Sequence, residues 1–239
     1  TEGDLRAAYQ KVLDVFESHN VPVSRPDPAT TSLFEQGPGF YTIRVKPSAG
    51  VPISSLTGKT EELKLGLELS RNQEIRHYSD RGAVVFEIPK QADQRYLVIA
   101  EDLWSRAEWP AGELYAPIGE DIAGNIIGIN FSSSTSPHLL IAGATGQGKS
   151  VALETILRGL CHKHGPEELR LHLVDPKGTE LLHFEEDLHL EGRIGFDSDD
   201  AIAVLGGLVE EMQQRYLRFK RFRVNSLARY NNHDDVTPE

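Results

Sequence analysis

The sequence predicts an α/β protein with two domains: a smaller α+β domain over residues 1–118 and a domain built on a parallel sheet over residues 119–239. In the first half, short runs with strand-like alternation are separated by helical patterns and by breaks rich in proline and glycine. In the second half, an apolar run at 138–142 leads through glycines into a helical pattern, and another apolar run follows at 169–174. Strand, helix and strand in this order form the βαβ unit of a parallel sheet.

Length and composition limit the class of protein. A chain of 239 residues with 39% hydrophobic content can bury a core large enough for one large or two modest domains. Its formal net charge of -11 argues against a generally basic protein that wraps nucleic acid. The single cysteine, Cys161, rules out an internal disulfide framework and a cysteine metal cluster, which favours a cytoplasmic location. No apolar run approaches the roughly twenty residues that span a bilayer, so no membrane segment is predicted, and an anchor outside this chain stays open.

Periodicity predicts the elements of the first domain. Helical spacing predicts a helix over 4–18. The leucines of 63–69 alternate as in a strand, but the glutamates and the lysine around them are better helix formers, so a helix is predicted over 61–69. Alternation and β-branched or aromatic content predict strands over 40–46, 83–88 and 96–100. This mixture of helices and strands indicates a small α+β domain.

Both tryptophans lie in residues 104–110, which are predicted to form a loop. Two uses of these rings stay open: they could stack on nucleic-acid bases, or they could cover the edge of a core, which is the commoner use. Further along, residues 119–125 predict a turn between two strands.

A long amphipathic helix is predicted after residues 197–199, which are good N-caps. Its end is basic and contains Arg215, Arg218, Lys220, Arg221 and Arg223. These cations suit contact with DNA or with a neighbouring subunit. They also complement the negative C-terminal end of the helix dipole, and we favour that interpretation.

Residues 143–150 match the phosphate-binding pattern G-x-x-x-x-G-K-[ST] and lie between an apolar run and a helical pattern, as that motif requires. Its glycines allow backbone N–H groups to converge on phosphate oxygens. Lys149 and Ser150 are the predicted catalytic residues, because the ammonium suits the β and γ phosphates and the hydroxyl suits Mg²⁺. The predicted nucleotide-binding residues are Gly143, Ala144, Thr145, Gly146, Gln147, Gly148, Lys149, Ser150 and Val151.

A phosphate-loop ATPase also needs an apolar strand that ends in an aspartate, which holds Mg²⁺, usually beside a glutamate. Residues 171–175 have this outline, but Pro176 follows the aspartate. Residues 97–102 end in two acids but precede the phosphate loop, in the other domain. Neither stretch is convincing, and the polar residues 234–239 stand where a further core strand is expected to begin. The second domain is therefore expected to be C-terminally incomplete.

Several motifs follow the order that is typical of one family. They are Gly37-Pro38, Pro47-Ser48-Ala49-Gly50-Val51, Val84 to Pro89, Gly119-Glu120-Asp121-Ile122-Ala123-Gly124, Pro137-His138-Leu139-Leu140, Asp175-Pro176-Lys177 and Tyr230-Asn231. With them, the chain resembles the motor portion of the FtsK/SpoIIIE family of double-stranded DNA translocases over nearly its whole length. It departs from the family at Asn225-Ser226, where an Arg-Asn pair is common.

The resemblance implies a platform domain and a P-loop RecA-like ATPase domain that together form one subunit of a hexameric ring. Double-stranded DNA would pass through the pore, and ATP with Mg²⁺ would bind at subunit boundaries. The resemblance adds Asp175 and Lys177 as secondary site residues, and it implies that the Walker B acids lie beyond Glu239. A ring needs positive charge only where it meets DNA, so the acidic net charge does not exclude this reading.

Two alternatives stay open. One is an FtsK/HerA-like ATPase that works with other proteins in a conjugation, protein-export or DNA-modification restriction complex. The other is an assembly module that binds ATP without hydrolysing it, because the acidic strand has not been found.

Overall fold

The computed structural model describes residues 2–27, 31–133 and 137–233. The chain divides into two compact units, one formed by Thr1–Pro110 with Pro117–Ile129 and the other by Ala111–Ala116 with Asn130–Glu239. The boundary predicted between residues 118 and 119 remains a prediction. Residues 234–239, where a further core strand is expected to begin, lie outside the described part of the chain.

The first unit is an antiparallel sheet with helices. In chain order its elements are α1 (Glu2–Ser18), β1 (Val23–Ser24), β2 (Phe34–Gln36), β3 (Phe40–Pro47), α2 (Ile53–Thr57), α3 (Thr60–Gly66), β4 (Arg76–Asp80), β5 (Ala83–Pro89) and α4 (Ala100–Arg106). The sheet has the order β1-β3-β5-β4, and β2 also pairs with β3. The predicted elements α1, β3, α3 and β5 are confirmed.

The core of this unit lies where α1 packs on the sheet. Val12 and Phe16 from α1 meet Ile43 from β3 and Phe86 from β5, and all four side chains are fully buried. The rings of Phe16 and Phe86 have centroids 5.8 Å apart. Ile43 and Phe86 are register partners in the β3–β5 ladder, so one cross-strand pair joins the sheet to the helix.

The strand predicted over residues 96–100 is wrong. The segment has no strand partner among the described residues, Leu97 is 90% exposed, and α4 begins at Ala100. Glu101 and Asp102 occupy the first turn of α4, where their charges favour a helix N-terminus. The prediction depended on β-forming composition, which stabilises a strand only when a neighbouring strand is present.

The loop predicted over residues 104–110 is also partly wrong, because Trp104 belongs to α4. Its side chain is buried, and its carbonyl oxygen accepts a 3.1 Å hydrogen bond from Nε1 of Trp109. Trp104 therefore serves the core, as favoured from the sequence.

The turn predicted at residues 119–125 joins β6 (Tyr115–Glu120) to β7 (Ile126–Asn130) and is confirmed. The carboxylate of Asp121 accepts hydrogen bonds from the backbone N–H groups of Ala123 (2.8 Å) and Asn125 (2.9 Å). Gly124 has a φ of 88°, and a Cβ there would collide with the carbonyl oxygen of Gln36. A Cβ on Gly37 would collide with the carbonyl of Asp121, so two glycines permit this close approach.

The second unit contains three α-helices, α5 (Lys149–Lys163), α6 (Ser198–Phe222) and α7 (Leu227–Asn231), among its described residues. The predicted cap of α6 is confirmed, since the Asp197 side chain accepts a 2.9 Å hydrogen bond from the backbone N–H of Asp200. No residue of α6 is buried. At its end, Tyr230 of α7 packs on Phe219 and Phe222, with ring centroids 5.7 and 5.4 Å away.

The strands predicted over 138–142 and 169–174 are not formed as strands in the described residues. Leu140 is 90% exposed, and no ladder is found beside the first segment. The second segment makes two isolated parallel bridges, Leu171 with Leu190 and Val174 with Gly195. A sheet strand needs a hydrogen-bonded neighbour along its length, and these bridges supply one at only two points. The α/β class is confirmed, whereas the continuous βαβ pairing is not present here.

Among the described residues, we find no helix with both the length and the apolar character that a bilayer crossing requires.

We predict that Phe86→Ala lowers the free energy of unfolding of the first unit by about 3–5 kcal/mol, because it removes a buried ring from the α1–sheet contact. Leu97→Ala is the control and is expected to change it by less than about 0.5 kcal/mol. Chemical denaturation followed by tryptophan fluorescence measures both. If Leu97→Ala lowered the free energy of unfolding as much as Phe86→Ala, the result would instead support the strand predicted over 96–100.

Candidate nucleotide-binding site

The phosphate loop passes directly into α5. Gly146 has a φ of 79° and Gly148, the N-cap of α5, has a φ of 84°. Both values lie in the left-handed region, which residues with a Cβ rarely adopt. The two glycines therefore turn the chain so that the N-terminus of a 15-residue helix, with its unpaired N–H groups, faces the loop.

The side chain of Lys149 bends back over the loop. Its Nζ donates a 2.9 Å hydrogen bond to the carbonyl oxygen of Ala144, and the residue is solvent-accessible. The loop is also closed by a 3.3 Å bond from the N–H of Gln147 to the same carbonyl. The ammonium is thus held at the loop itself, where an anion would meet it.

Small-ligand sites usually have volumes of about 300–1,000 Å³. The cavity beside the phosphate loop has a volume of about 520 Å³ and falls in this range. The predicted residues that line it are Thr145, Gly146, Gly148, Lys149, Ser150 and Val151. Gly143, Ala144 and Gln147 complete the loop without lining this cavity. Two further lining residues, Lys177 and Glu180, come from the segment that follows residues 169–174.

Asp175 organises that second segment. It is 4% exposed, and its carboxylate accepts backbone N–H bonds from Lys177 (3.2 Å), Glu180 (2.8 Å) and Leu181 (3.0 Å). These bonds, the one from Leu181 above all, lower the pKa of Asp175. Both of its oxygens are already bound to the backbone, so Asp175 holds the turn that brings Lys177 and Glu180 to the cavity.

Lys177 and Glu180 form an ion pair, with Nζ 2.6 Å from Oε1. Glu180 lines the cavity together with Ser150. The hydrogen bond from Lys177 lowers the pKa of Glu180. Sequence reasoning missed Glu180. An acid three residues after Lys177, just past the end of an apolar run, was the available signal.

The other acidic stretch from the sequence, Glu101 and Asp102, lies in the first turn of α4. It therefore lacks the apolar strand that a magnesium-binding aspartate of this class follows.

A second cluster of potential metal ligands is found in the described part of the second unit. Ligand atoms of Cys161, Asp187 and His189 lie within 4.8 Å of one another. However, Nδ1 of His189 is 2.8 Å from Asp187, and Nε2 is 2.8 Å from the carbonyl oxygen of His164. Burial also raises the pKa of the Cys161 thiol to about 11, which disfavours a thiolate. The cluster does not suit a metal, because no imidazole lone pair is available.

The His189 ring instead bridges two parts of the unit. Both ring nitrogens face oxygen acceptors, an arrangement that favours the doubly protonated imidazolium. Burial lowers the pKa of His189, but the hydrogen bonds to His164 and Asp187 outweigh it, so that the pKa is raised. His164 is the C-cap of α5, so the contact fastens the end of the phosphate-loop helix.

Comparison with known proteins identifies the same family over much of the chain. Residues 99–238 match the model of the FtsK/SpoIIIE family. The chain is 32% identical over 223 residues to a DNA translocase FtsK of Corynebacterium glutamicum, covering 93% of this chain and 23% of that protein. It is 34% identical over 200 residues to the DNA translocase SftA of Bacillus subtilis, covering 82% of this chain and 20% of that protein.

A solved structure is similar in fold. The pCW3 conjugation coupling protein TcpA, in its monomer form with ATPgS, has a TM-score of 0.51 and 20% identity. The match covers 98% of this chain and 62% of that one. The chain spans about a quarter or less of the length of the curated relatives named above.

We predict that Lys149→Ala abolishes tight ATP binding, because it removes a cation that can make charge-assisted hydrogen bonds to phosphate. Bonds to charged groups contribute about 1.5–3 kcal/mol, so the affinity should fall by roughly ten- to a hundredfold or more. Calorimetry measures the change, and Lys163→Ala, at the other end of α5, is the matched control. An ATP affinity that is unchanged in Lys149→Ala would contradict the prediction that residues 143–150 bind phosphate.

We predict a pH-dependent contribution of His189 to stability. Because the folded pKa of His189 is raised, its contribution is complete below the unfolded value of about 6.5 and is lost as the pH rises through the folded value. The difference in unfolding midpoint between wild type and His189→Gln should therefore be largest below about pH 6.5 and shrink as the pH rises above that value. The exposed His172, changed to Gln, is the control, and a pH-independent difference for His189→Gln would contradict the imidazolium.

Proposed function

The chain belongs to the FtsK/SpoIIIE family, and from this premise we propose that it is the motor portion of an ATP-driven double-stranded DNA translocase. The observation that supports the proposal most directly is the phosphate loop at the N-terminus of α5, which opens onto a cavity large enough for a nucleotide's phosphates. The relatives from Corynebacterium glutamicum and Bacillus subtilis are named DNA translocases. The substrates and activity of the whole protein are part of the proposal.

In this proposal the described residues bind and orient ATP. The amides of the loop and the first turn of α5 hold the phosphates, and Lys149 places its charge on the β and γ phosphates. Hydrolysis then depends on positioning and on charge stabilisation rather than on a covalent intermediate.

The donor set at the cavity suits Mg²⁺. Mg²⁺ prefers oxygen ligands, and the Ser150 hydroxyl and the Glu180 carboxylate both line the same cavity. When bound, Mg²⁺ would neutralise charge on the phosphates. Ser150 would supply the protein ligand, and the nearby Lys177 balances the charge of Glu180.

The acidic pair that completes hydrolysis is a separate part of the proposal. Asp175 uses both carboxylate oxygens on backbone N–H groups. Residues 101–102 lie on α4. We therefore propose that the pair is supplied from outside the described residues.

The assembly and location are proposed from the family. We propose a hexameric ring in the cytoplasm, with double-stranded DNA in the pore. Within this chain, Lys220 and Arg221 in the last turn of α6 are candidates for contact with DNA phosphates, whereas Arg215 already pairs with Glu211 at 2.8 Å. The net charge of -11 means that such contact would be local.

We predict that the protein hydrolyses ATP and that linear double-stranded DNA strongly stimulates the rate, with Lys149→Ala as the blank. A phosphate-release assay with and without DNA measures this, and displacement of a triplex-forming strand tests movement along the duplex. Hydrolysis that is indifferent to DNA would favour an export or defence complex instead. ATP binding without hydrolysis would favour the assembly module.

A further inference from the structure

Helix α6 carries an apolar stripe that the described residues leave exposed. Side chains three and four residues apart lie on one face of a helix. On α6 such a face is formed by Ile202, Leu205, Val209, Met212 and Tyr216, which are 44–68% exposed and which we call the α6 stripe. Phe219 continues the spacing but packs on Tyr230 of α7. Helix α1 has a comparable apolar face, and there it is buried against the sheet.

The sequence of α6 gives the helix little stability without a packing partner. Gly206 and Gly207 lie in its middle, and a glycine inside a helix costs about 1 kcal/mol relative to alanine. A Cβ added at either position would meet no atom of the described residues within 4 Å. Most helices in proteins are stabilised by packing of their apolar face rather than by propensity. We therefore expect the α6 stripe to be covered by another element.

The spacing of the stripe favours a second helix as that element. Apolar residues that alternate three and four positions apart repeat every seven residues, which is the pattern of a coiled coil. From Ile202 to Phe219 the alternation is kept without interruption. Side chains with this spacing insert between those of a facing helix that has the same spacing.

The charges of α6 divide along its length. Residues 198–211 contain four acids and no lysine or arginine, whereas residues 212–222 contain four cations and no acid. If two copies of this helix pack in antiparallel orientation, the acidic half of each lies beside the basic half of the other. A parallel pair would instead bring like charges together, which is unfavourable. The charge pattern therefore favours an antiparallel pair of identical helices.

Two exposed residues beside the stripe fit the same arrangement. Asp199 and Lys220 are 21 residues, or three heptads, apart, so they lie on the same flank of the stripe at opposite ends of α6. In an antiparallel pair, Asp199 of each copy approaches Lys220 of the other copy. Charged residues beside the apolar seam of a coiled coil form ion pairs of this kind and set the orientation of the helices.

We propose that the α6 stripe is a docking surface for α6 of a second copy of this chain, in an antiparallel coiled coil with two-fold symmetry. A two-fold contact uses the same surface on both copies and joins only two of them, whereas a ring needs contacts between two different surfaces. The inference therefore goes beyond the proposed ring and does not depend on ATP or DNA.

Sedimentation equilibrium of the full chain, without nucleotide or DNA, tests the contact. Between about 1 and about 100 μM, wild type should pass from the mass of one chain toward that of two. Val209→Asp places a charge in the middle of the stripe and should weaken association by about tenfold or more. Gln214→Asp adds the same charge on the other side of α6 and is the matched control, which should associate like wild type.

Stability in dilute solution separates this contact from packing within the chain. Because no residue of α6 is buried, Val209→Asp and Gln214→Asp should have the same unfolding midpoint where the protein is a single chain. Chemical denaturation followed by circular dichroism measures both. A lower midpoint, or a failure to fold, for Val209→Asp alone would show that the stripe packs inside its own chain and would overturn the proposal.

The orientation is tested with two single-cysteine variants, Asp199→Cys and Lys220→Cys, each combined with Cys161→Ser, which removes the natural thiol. One of the two carries a fused tag, so that mixed pairs have a distinct size on a gel. A short thiol cross-linker should join chains efficiently in the mixture and poorly in either variant alone. Efficient cross-linking of each variant with itself, as in a parallel pair, would overturn the antiparallel coiled coil.

The masses distinguish this inference from the proposed function. A single-chain mass of wild type at every concentration would overturn the proposal, and another partner would then have to cover the stripe. A mass of two or of six chains that Val209→Asp leaves unchanged would also overturn it, although six chains would support the ring. A dimer that is lost in Val209→Asp, together with ATP hydrolysis that DNA does not stimulate, would support the α6 contact and contradict the translocase.

Discussion

Asp175 holds together the part of the second unit on which the candidate site depends. Its buried carboxylate accepts backbone bonds from residues 177, 180 and 181. A buried carboxylate is costly unless its oxygens are paired, and here the turn itself pairs them. The same bonds decide which side chains leave the turn toward the phosphate loop. The residues that line the cavity thus come from two stretches of the chain, and Asp175 holds the second of them in its turn.

The two lysines that line the cavity, Lys149 and Lys177, have different partners. Lys149 contacts a loop carbonyl, whereas Lys177 pairs with Glu180. The charge of Lys177 is therefore balanced by a carboxylate, whereas the partner of Lys149 is a neutral carbonyl oxygen. An incoming polyphosphate would meet the positive charge of Lys149 and the positive end of the α5 dipole at the same place.

The sequence was informative where structure depends on local pattern. Helices α1, α5 and α6 and strands β3 and β5 follow from periodicity, and the phosphate loop is contiguous, so its residue types can be recognised directly. The errors at 96–100 and 138–142 share one cause. A strand is stabilised by neighbours that no local pattern specifies, and neither segment has such a neighbour in the described residues. Glu180 could not be predicted for a related reason, because only the tertiary structure brings it to the same cavity as the phosphate loop.

The two glycines at the close approach between β2 and the β6–β7 turn restrict how this part of the chain can change. Gly37 and Gly124 each face a carbonyl of the other segment, at a distance that leaves no room for a methyl group. Replacing either glycine with a larger residue would force the backbone of the opposite segment to move. A protein engineer who grafts this turn elsewhere would have to transplant both glycines together with Asp121, as a single unit of three residues.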